Sequence, residues 1–214
     1  MSELEAVKDA LLGFDAEKLA KATEASLKKN ISPQEIMNVI TASLKLIGEK
    51  FEKGELLLVH LVASGEAAKR AISEYLEPLL SKEGTVVAKI GTVAIGTVAG
   101  DIHDIGKNIV ASMFFSAGFK VIDLGKDVSV ESFIKAVEQH EPDILGMSTL
   151  LSTSLPIQRE VVEALNNKKL RETVKIIVGG APVTPEWAEE IGTDGYAEDA
   201  LEAVNVGLRL LGKE

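Results

Sequence analysis

The chain has 214 residues, 46 % hydrophobic and 26 % charged, with a formal net charge of -10 and no cysteine. That balance belongs to a soluble globular protein long enough for one large domain or two small ones. The charge argues against nucleic acid or an anionic membrane as partner, and the missing cysteines exclude disulfides and thiolate-held metals. The acidity is general: 11 basic and 14 acidic side chains lie up to residue 88, and 12 and 19 beyond it. The start, Met1-Ser2-Glu3-Leu4-Glu5, lacks a basic segment followed by an apolar one, and no run approaches membrane-spanning length. A cytoplasmic location is expected.

Residues 1 to about 83 read as helix throughout. Glu3 to Leu12 is a short amphipathic piece, and Asp15 caps a second helix that keeps Leu19, Ala22, Ala25 and Leu27 at helical spacing. Ser32-Pro33 with Glu35 is a helix start, with serine as N-cap, proline in the first turn and glutamate three residues on. This third helix carries Ile36, Val39, Ile40, Leu44 and Ile47 on one side and runs to about Lys53, where Gly54 stops it. A fourth covers roughly Leu56 to Leu80, with Leu57, Leu61, Ala68, Ala71 and Ile72 as its expected buried stripe and Ser64 on the same face. Four helices with short connections make a bundle. Ser81-Lys82-Glu83-Gly84 reads as the linker and as a hinge.

From Val86 the period changes. Apolar runs at Ile90 to Val98, Lys120 to Leu124, Ile144 to Met147 and Ile176 to Val178 alternate with amphipathic segments near 107–118, 130–140, 155–168 and 184–191. A short strand at Gly195-Tyr196-Ala197 and a helix at 199–211 close the chain. Such alternation predicts βαβ units and a parallel sheet. The expected fold is thus α plus α/β: a four-helix bundle over residues 1–84, then a flavodoxin-like (Rossmann-like) sheet of five strands over 85–214.

Three strand ends stand out. After Val98 comes Gly100-Asp101-Ile102-His103-Asp104-Ile105-Gly106, which sets a histidine in a strand-to-helix loop two residues after an aspartate. The carboxyl edge of an open parallel sheet is where ligands sit, and a carboxylate beside an imidazole orients it as a metal ligand. A lone loop histidine is by itself uninformative. The second end, from Ser148 to Ser154, holds five hydroxyl residues where a helix cap needs one. The third is Gly179-Gly180, where paired glycines admit a ligand close to the backbone or simply make a turn. His60, set among leucines, reads as a core or interface histidine, and His140 as a solvated residue at a helix end.

Asp101-x-His103-x-x-Gly106, Ser148-x-Leu150 and Gly179-Gly180 together resemble the signature of cobalamin-binding domains of the methionine synthase type. Gly48-Glu49-Lys50-Phe51-Glu52-Lys53-Gly54-Glu55-Leu56-Leu57-Leu58 resembles that family's helical cap, so the likeness covers essentially the whole chain. A two-domain chain of this size is similar to the stand-alone corrinoid protein of a methyltransferase system. The resemblance implies cobalamin or a related corrinoid, methylated in the loaded state, with His103 on the cobalt. Asp101 would hydrogen-bond the other ring nitrogen, with Ser154 following in a relay. Gly106, Gly179, Gly180 and, more weakly, Ala200 would make the slot for the nucleotide tail, with Ser148 and Ser152 bonding its base and Leu150 touching it. Phe51 and Leu58 would cover the upper face, though both also fit a bundle core. Implied partners are a substrate-specific methyltransferase, an acceptor methyltransferase acting on a thiol, folate or pterin, and a reductive activase.

Two other corrinoid readings stay open. One is a sensor or regulatory module; the other is the small subunit of an adenosylcobalamin mutase, which generally lacks the helical half. A flavodoxin-like domain for another ligand is the plainest alternative. No motif identifies the methyl donor.

Overall fold

The computed structural model describes residues 2–76, 78–79 and 90–213. The expected linker Ser81–Gly84, the boundary between residues 84 and 85, and Leu80 lie outside the described residues. The chain forms two compact units, one holding the N-terminal helices with Phe115–Gly118, the other Ile90–Phe114 and the chain from Phe119 onward. Among the described residues no helix is long and apolar enough to cross a membrane.

The helical unit contains α1 (Glu3–Leu12), α2 (Ala16–Lys28), α3 (Pro33–Glu52) and α4 (Leu58–Ala71), which runs on as a π-helical turn, Ile72–Leu76. Local signals set the boundaries. Ser32 Oγ accepts the Glu35 N–H and the Glu35 carboxylate accepts the Ser32 N–H, both at 3.2 Å, closing a capping box. Beyond α3, Gly54 takes φ +72°, a left-handed turn natural to glycine. Ile36, Ile40, Leu44 and Ile47 are buried as expected, with Val39 half-buried.

One expectation for the helices needs correction. Leu57 is 67 % exposed, because α4 begins at Leu58 and leaves Leu57 as its N-cap. The expected stripe otherwise holds: Leu61, Ser64, Ala68, Ala71 and Ile72 are buried. The inward residues of α2 are Leu19, Thr23 and Ser26, whereas Ala22, Ala25 and Leu27 are only half-buried. α2 packs against α4, whose buried face includes Ser64, Gly65 and Ala68, and small residues on both helices permit a close approach. Ser26 Oγ is satisfied within its own helix, donating to the Ala22 carbonyl at 2.8 Å.

The second unit runs β1 (Thr92–Val98), α5 (Ile105–Ser116), β2 (Lys120–Val128), α6 (Val130–His140), β3 (Ile144–Ser148), α7 (Leu155–Asn167), a 3-10 turn (Arg171–Thr173), β4 (Lys175–Gly179), α8 (Pro185–Glu190), β5 (Gly195–Ala197) and α9 (Ala200–Leu210). The sheet is parallel, in the order β2-β1-β3-β4-β5. One face carries Phe133, Val161, Val162 and Ile191 over Leu145 and Ile176. Opposite, Phe114 and Ile144 crowd against Gly207 so closely that a Cβ there would lie 2.7 Å from the Phe114 ring.

The chain reverses direction across the sheet between β1 and β3, so their carboxyl ends part and leave a crevice, the usual ligand position of this architecture. β2 departs from expectation by running four residues past Leu124. It stays paired with β1 through two bulges, each adding one residue: Ile95 pairs with Asp123, Gly96 with Gly125 and Val98 with Val128. Bulges of this kind bend a strand beside a functional site.

Candidate functional site

The loop after β1 opens with a tight turn in which the Asp101 N–H donates to the Val98 carbonyl at 3.2 Å. Gly100 stands at its third position with φ +80°, as a type II turn requires. That turn sends the Asp101 side chain inward, where it is fully buried. Oδ1 accepts the His103 backbone N–H at 2.9 Å and meets His103 Nδ1 at 2.7 Å. Oδ2 accepts the Thr149 hydroxyl at 3.1 Å and the backbone N–H groups of Leu150 at 2.6 Å and Leu151 at 3.3 Å. One carboxylate therefore ties the end of β1 to the end of β3 across the crevice.

Burial by itself would raise the Asp101 pKa. The N–H groups of His103 and Leu150, the imidazole and the Thr149 hydroxyl outweigh it and hold the carboxyl well below the usual carboxylate range. An ionised Asp101 is an acceptor only, so the proton between it and His103 sits on Nδ1, and Nε2 is the ring nitrogen left to face a ligand. Nε2 makes no hydrogen bond to any described residue, and the His103 side chain is 49 % exposed. The buried Thr97 hydroxyl donates to the His103 carbonyl at 3.2 Å, so the ring is fixed by its backbone as well as by its partner.

The hydroxyl-rich strand end divides in two. Thr149 and Ser154 are buried with their oxygens 2.5 Å apart, whereas Ser152 and Thr153 are exposed and Ser148 is half-buried. Ser154 thus reaches Asp101 only through Thr149, which the sequence reading counted among the hydroxyls but gave no role. A clue lay in the strand period, which sends Thr149 to the side opposite Ser148.

The glycines differ in kind. A Cβ on Gly179 would lie 2.8 Å from the Ala197 carbonyl, and one on Gly180 would run into the carbonyl of Thr149. Gly180 also has φ +121°, so the chain itself requires glycine there. Gly106 is the reverse: a Cβ would meet nothing within 4 Å, although glycine in the first turn of a helix is unfavourable. Ala200 stands half-buried at the start of α9, at the same edge of the sheet. The Asp104 carboxylate lies 3.8 Å from Lys126 Nζ.

In the helical unit, Phe51 is half-buried near the end of α3 and Leu58 is exposed at the start of α4, so neither is a bundle core residue. His60 is half-buried, stacks on Phe14 at 4.7 Å and accepts the Leu57 N–H on Nδ1 at 3.0 Å, which pins the start of α4. His140 is exposed at the end of α6.

Residues 91–205 match a family described as B12 binding domain, and residues 3–75 match a second family of that description. The chain belongs to the B12 binding domain family. Trimethylamine corrinoid protein 1 of Methanosarcina acetivorans is 42 % identical to this B12-binding chain over 199 residues, 92 % of each. A cobalamin-binding protein from Desulfitobacterium hafniense DCB-2 is 31 % identical, with a TM-score of 0.68 over 98 % of this chain and 99 % of that one. The methanol:cobalamin methyltransferase complex of Methanosarcina barkeri shares the fold at 23 % identity, with a TM-score of 0.88 over 99 % of this chain and 80 % of that one.

The residues present in this B12 binding domain fit a corrinoid. Among the described residues no group of three or more His, Asp or Glu side chains is arranged to hold a bare metal ion. A single presented imidazole instead suits a metal that arrives with four ring nitrogens of its own. Around His103, Ile102, Ile105 and Leu150 are 65 %, 78 % and 48 % exposed, an apolar rim matched to a large flat macrocycle. Gly106 is exposed and leaves the surface open where the loop meets α5.

Proposed function

We propose that this chain is the methyl-carrying corrinoid protein of a methyltransferase system, in which His103 would hold the cobalt. When bound, the corrinoid supplies a cobalt centre that takes a methyl group from one methyltransferase and yields it to another. One observation carries the reading: His103 Nδ1 lies 2.7 Å from the buried Asp101 carboxylate, which leaves Nε2 as the ring nitrogen turned away from that carboxylate at the β1/β3 crevice.

The protein's own residues then have defined tasks. The Asp101 carboxylate would hold the imidazole in the orientation that lets Nε2 bind the metal, and would stay hydrogen-bonded to Nδ1 when no metal is held. Thr149 and Ser154 satisfy the outer oxygen of Asp101 and keep it from rotating. Gly100, Ile102, Asp104 and Ile105 form the loop against the ring, and Gly106 leaves room where the tail enters. Ser148, Leu150, Ser152, Gly179, Gly180 and Ala200 are assigned to the tail and its base. Phe51 and Leu58, neither of them fully buried, are assigned to the upper face of the ring.

The partner loading the methyl group is a substrate-specific methyltransferase. Because one relative is named for trimethylamine, a methylamine is the first donor to test. An acceptor methyltransferase working on a thiol, folate or pterin completes the cycle, and a reductive activase restores the metal after oxidation. The deciding experiment mixes purified protein with hydroxocobalamin and reads the visible spectrum, then the electron paramagnetic resonance of the cobalt(II) form. Splitting by a histidine nitrogen in wild type that disappears in His103→Ala supports the reading; a protein that takes up no corrinoid removes it. Cobalt bands that follow addition of a cognate methyltransferase and its donor separate a carrier from a sensor.

A further inference from the structure

Lys107 lies in the first turn of α5, and its side chain is 1 % exposed, an unusual place for an ammonium group. A buried charge persists only when it is paired and hydrogen-bonded. Its Nζ lies 2.5 Å from Asp123 Oδ1 on β2 and 2.6 Å from Asn108 Oδ1. Asp123 Oδ1 also accepts the Gly125 N–H at 2.9 Å, so this pair is rooted at the first bulge of β2.

Beyond that bulge β2 stays beside β1 to their shared end, with Val128 opposite Val98, next to the histidine loop. Asp127, in the left-handed region at φ +54°, accepts the Gly100 N–H on Oδ1 at 2.8 Å and donates its own N–H to the Asp101 carbonyl at 3.0 Å. A side chain at a positive φ is retained where its surroundings over-determine it. Here two bonds hold the backbone on either side of the Gly100–Asp101 peptide. Thr149 and Leu150 fix the side chain of Asp101 from β3, and Asp127 fixes its backbone from β2.

We propose that the carboxyl end of β2, anchored by the buried Lys107–Asp123 pair and ending in Asp127, is a clamp that sets the position of the Asp101–His103 loop. Lys107, Asp123 and Asp127 are thus positioning residues for the axial imidazole, a role that rests on the reading of His103 given above. Moving the loop by a fraction of a bond length changes the angle at which Nε2 meets a metal, without removing any ligand.

Two readouts test this. The first is the nitrogen splitting in the resonance of the cobalt(II) form and the cobalamin affinity; the second is the imidazole nitrogen spectrum of the unloaded protein. Asp127→Ala, at an exposed position, should leave the protein folded by circular dichroism. It should weaken cobalamin binding about ten-fold, as changes behind a metal ligand do, and reduce the histidine-bound fraction. The unloaded protein should show a perturbed His103 Nδ1–H signal. Asp127→Asn keeps the acceptor and tolerates the same backbone region, so it should restore all three. Lys107→Met should move them in the direction of Asp127→Ala. The clamp is refuted if Asp127→Ala keeps the wild-type splitting and imidazole spectrum, or if Asp127→Asn is no better than alanine. Should wild type bind no corrinoid, the reading of the site falls, while the imidazole spectra still decide the clamp.

Discussion

Asp101 Oδ2 and the backbone nitrogen of Leu150 lie 2.6 Å apart, joining the loop after β1 to the loop after β3. The bond spans 49 positions of sequence and bridges the crevice at which the sheet reverses its order. A histidine oriented from within the crevice is therefore only as rigid as this crossing.

His103→Ala should fold normally, since the side chain is half-exposed and Asp101 keeps its bonds to Thr149 and to the backbone of residues 103, 150 and 151. A stability change within about 1 kcal/mol is expected from urea unfolding, as at other sites outside the core. The loss of histidine-nitrogen splitting is the functional outcome. Unaltered cobalt spectra would remove His103 from the metal.

Asp101→Asn should destabilise the neutral protein by about 1–3 kcal/mol, because an amide cannot accept at both oxygen positions and strands buried donors. The acid limb carries a second signature. The folded pKa of Asp101 is lowered, so its carboxylate stabilises the fold above the unfolded value of about 3.9, and that contribution drains away as pH falls from there through the folded value. Wild type should therefore lose stability more steeply than Asp101→Asn below about pH 4. Urea midpoints measured between pH 3 and 6 would show parallel curves if Asp101 were not the group responsible.

Gly106→Ala and Gly180→Ala should part company. The Gly106 site is open, and alanine is the better helix residue, so the unloaded protein should gain about 0.5–1 kcal/mol. Binding of cobalamin should nonetheless weaken, whereas cobinamide, which has no nucleotide tail, should bind as before. Wild-type affinity of Gly106→Ala for cobalamin would take the tail away from Gly106. Gly180→Ala forces a side chain into φ +121° and against the Thr149 carbonyl, so thermal melting should register a loss above about 2 kcal/mol.

Thr149→Val removes one buried hydroxyl at nearly constant shape. A loss of about 1 kcal/mol is expected, together with a weaker histidine–cobalt bond, because Asp101 loses a partner on Oδ2. Thr149→Ser, which keeps the hydroxyl, should retain most of both.

What the sequence made legible is local. Ser32, Pro33 and Glu35 announce the start of α3 because a cap involves neighbours alone. Gly100 to Gly106 announce a site because the apolar run before them is a buried strand. The partners of the site were illegible for the opposite reason. Thr149 stands 48 positions from Asp101, and Asp127 stands 27 from Gly100. Both meet their partners only once strand order and two bulges set the register. The apolar run of β2 stops at Leu124, whereas an extra residue at each bulge keeps the polar residues after it in the sheet. Leu57 was misplaced by two residues of helix boundary, Leu56 expected and Leu58 found, which suffices to turn a side chain from core to water.

The twin bulges of β2 have one more result, for the life of the protein among its copies. β2 is an outermost strand of nine residues, long enough to recruit a stranger by backbone pairing. Its kinked course and the charges of Lys120, Asp123, Lys126 and Asp127 spoil the straight, neutral border that such recruitment needs. At the far border β5 is three residues long, too short to serve as a template. The deformation that reaches toward the cofactor loop also keeps one sheet from growing into the next.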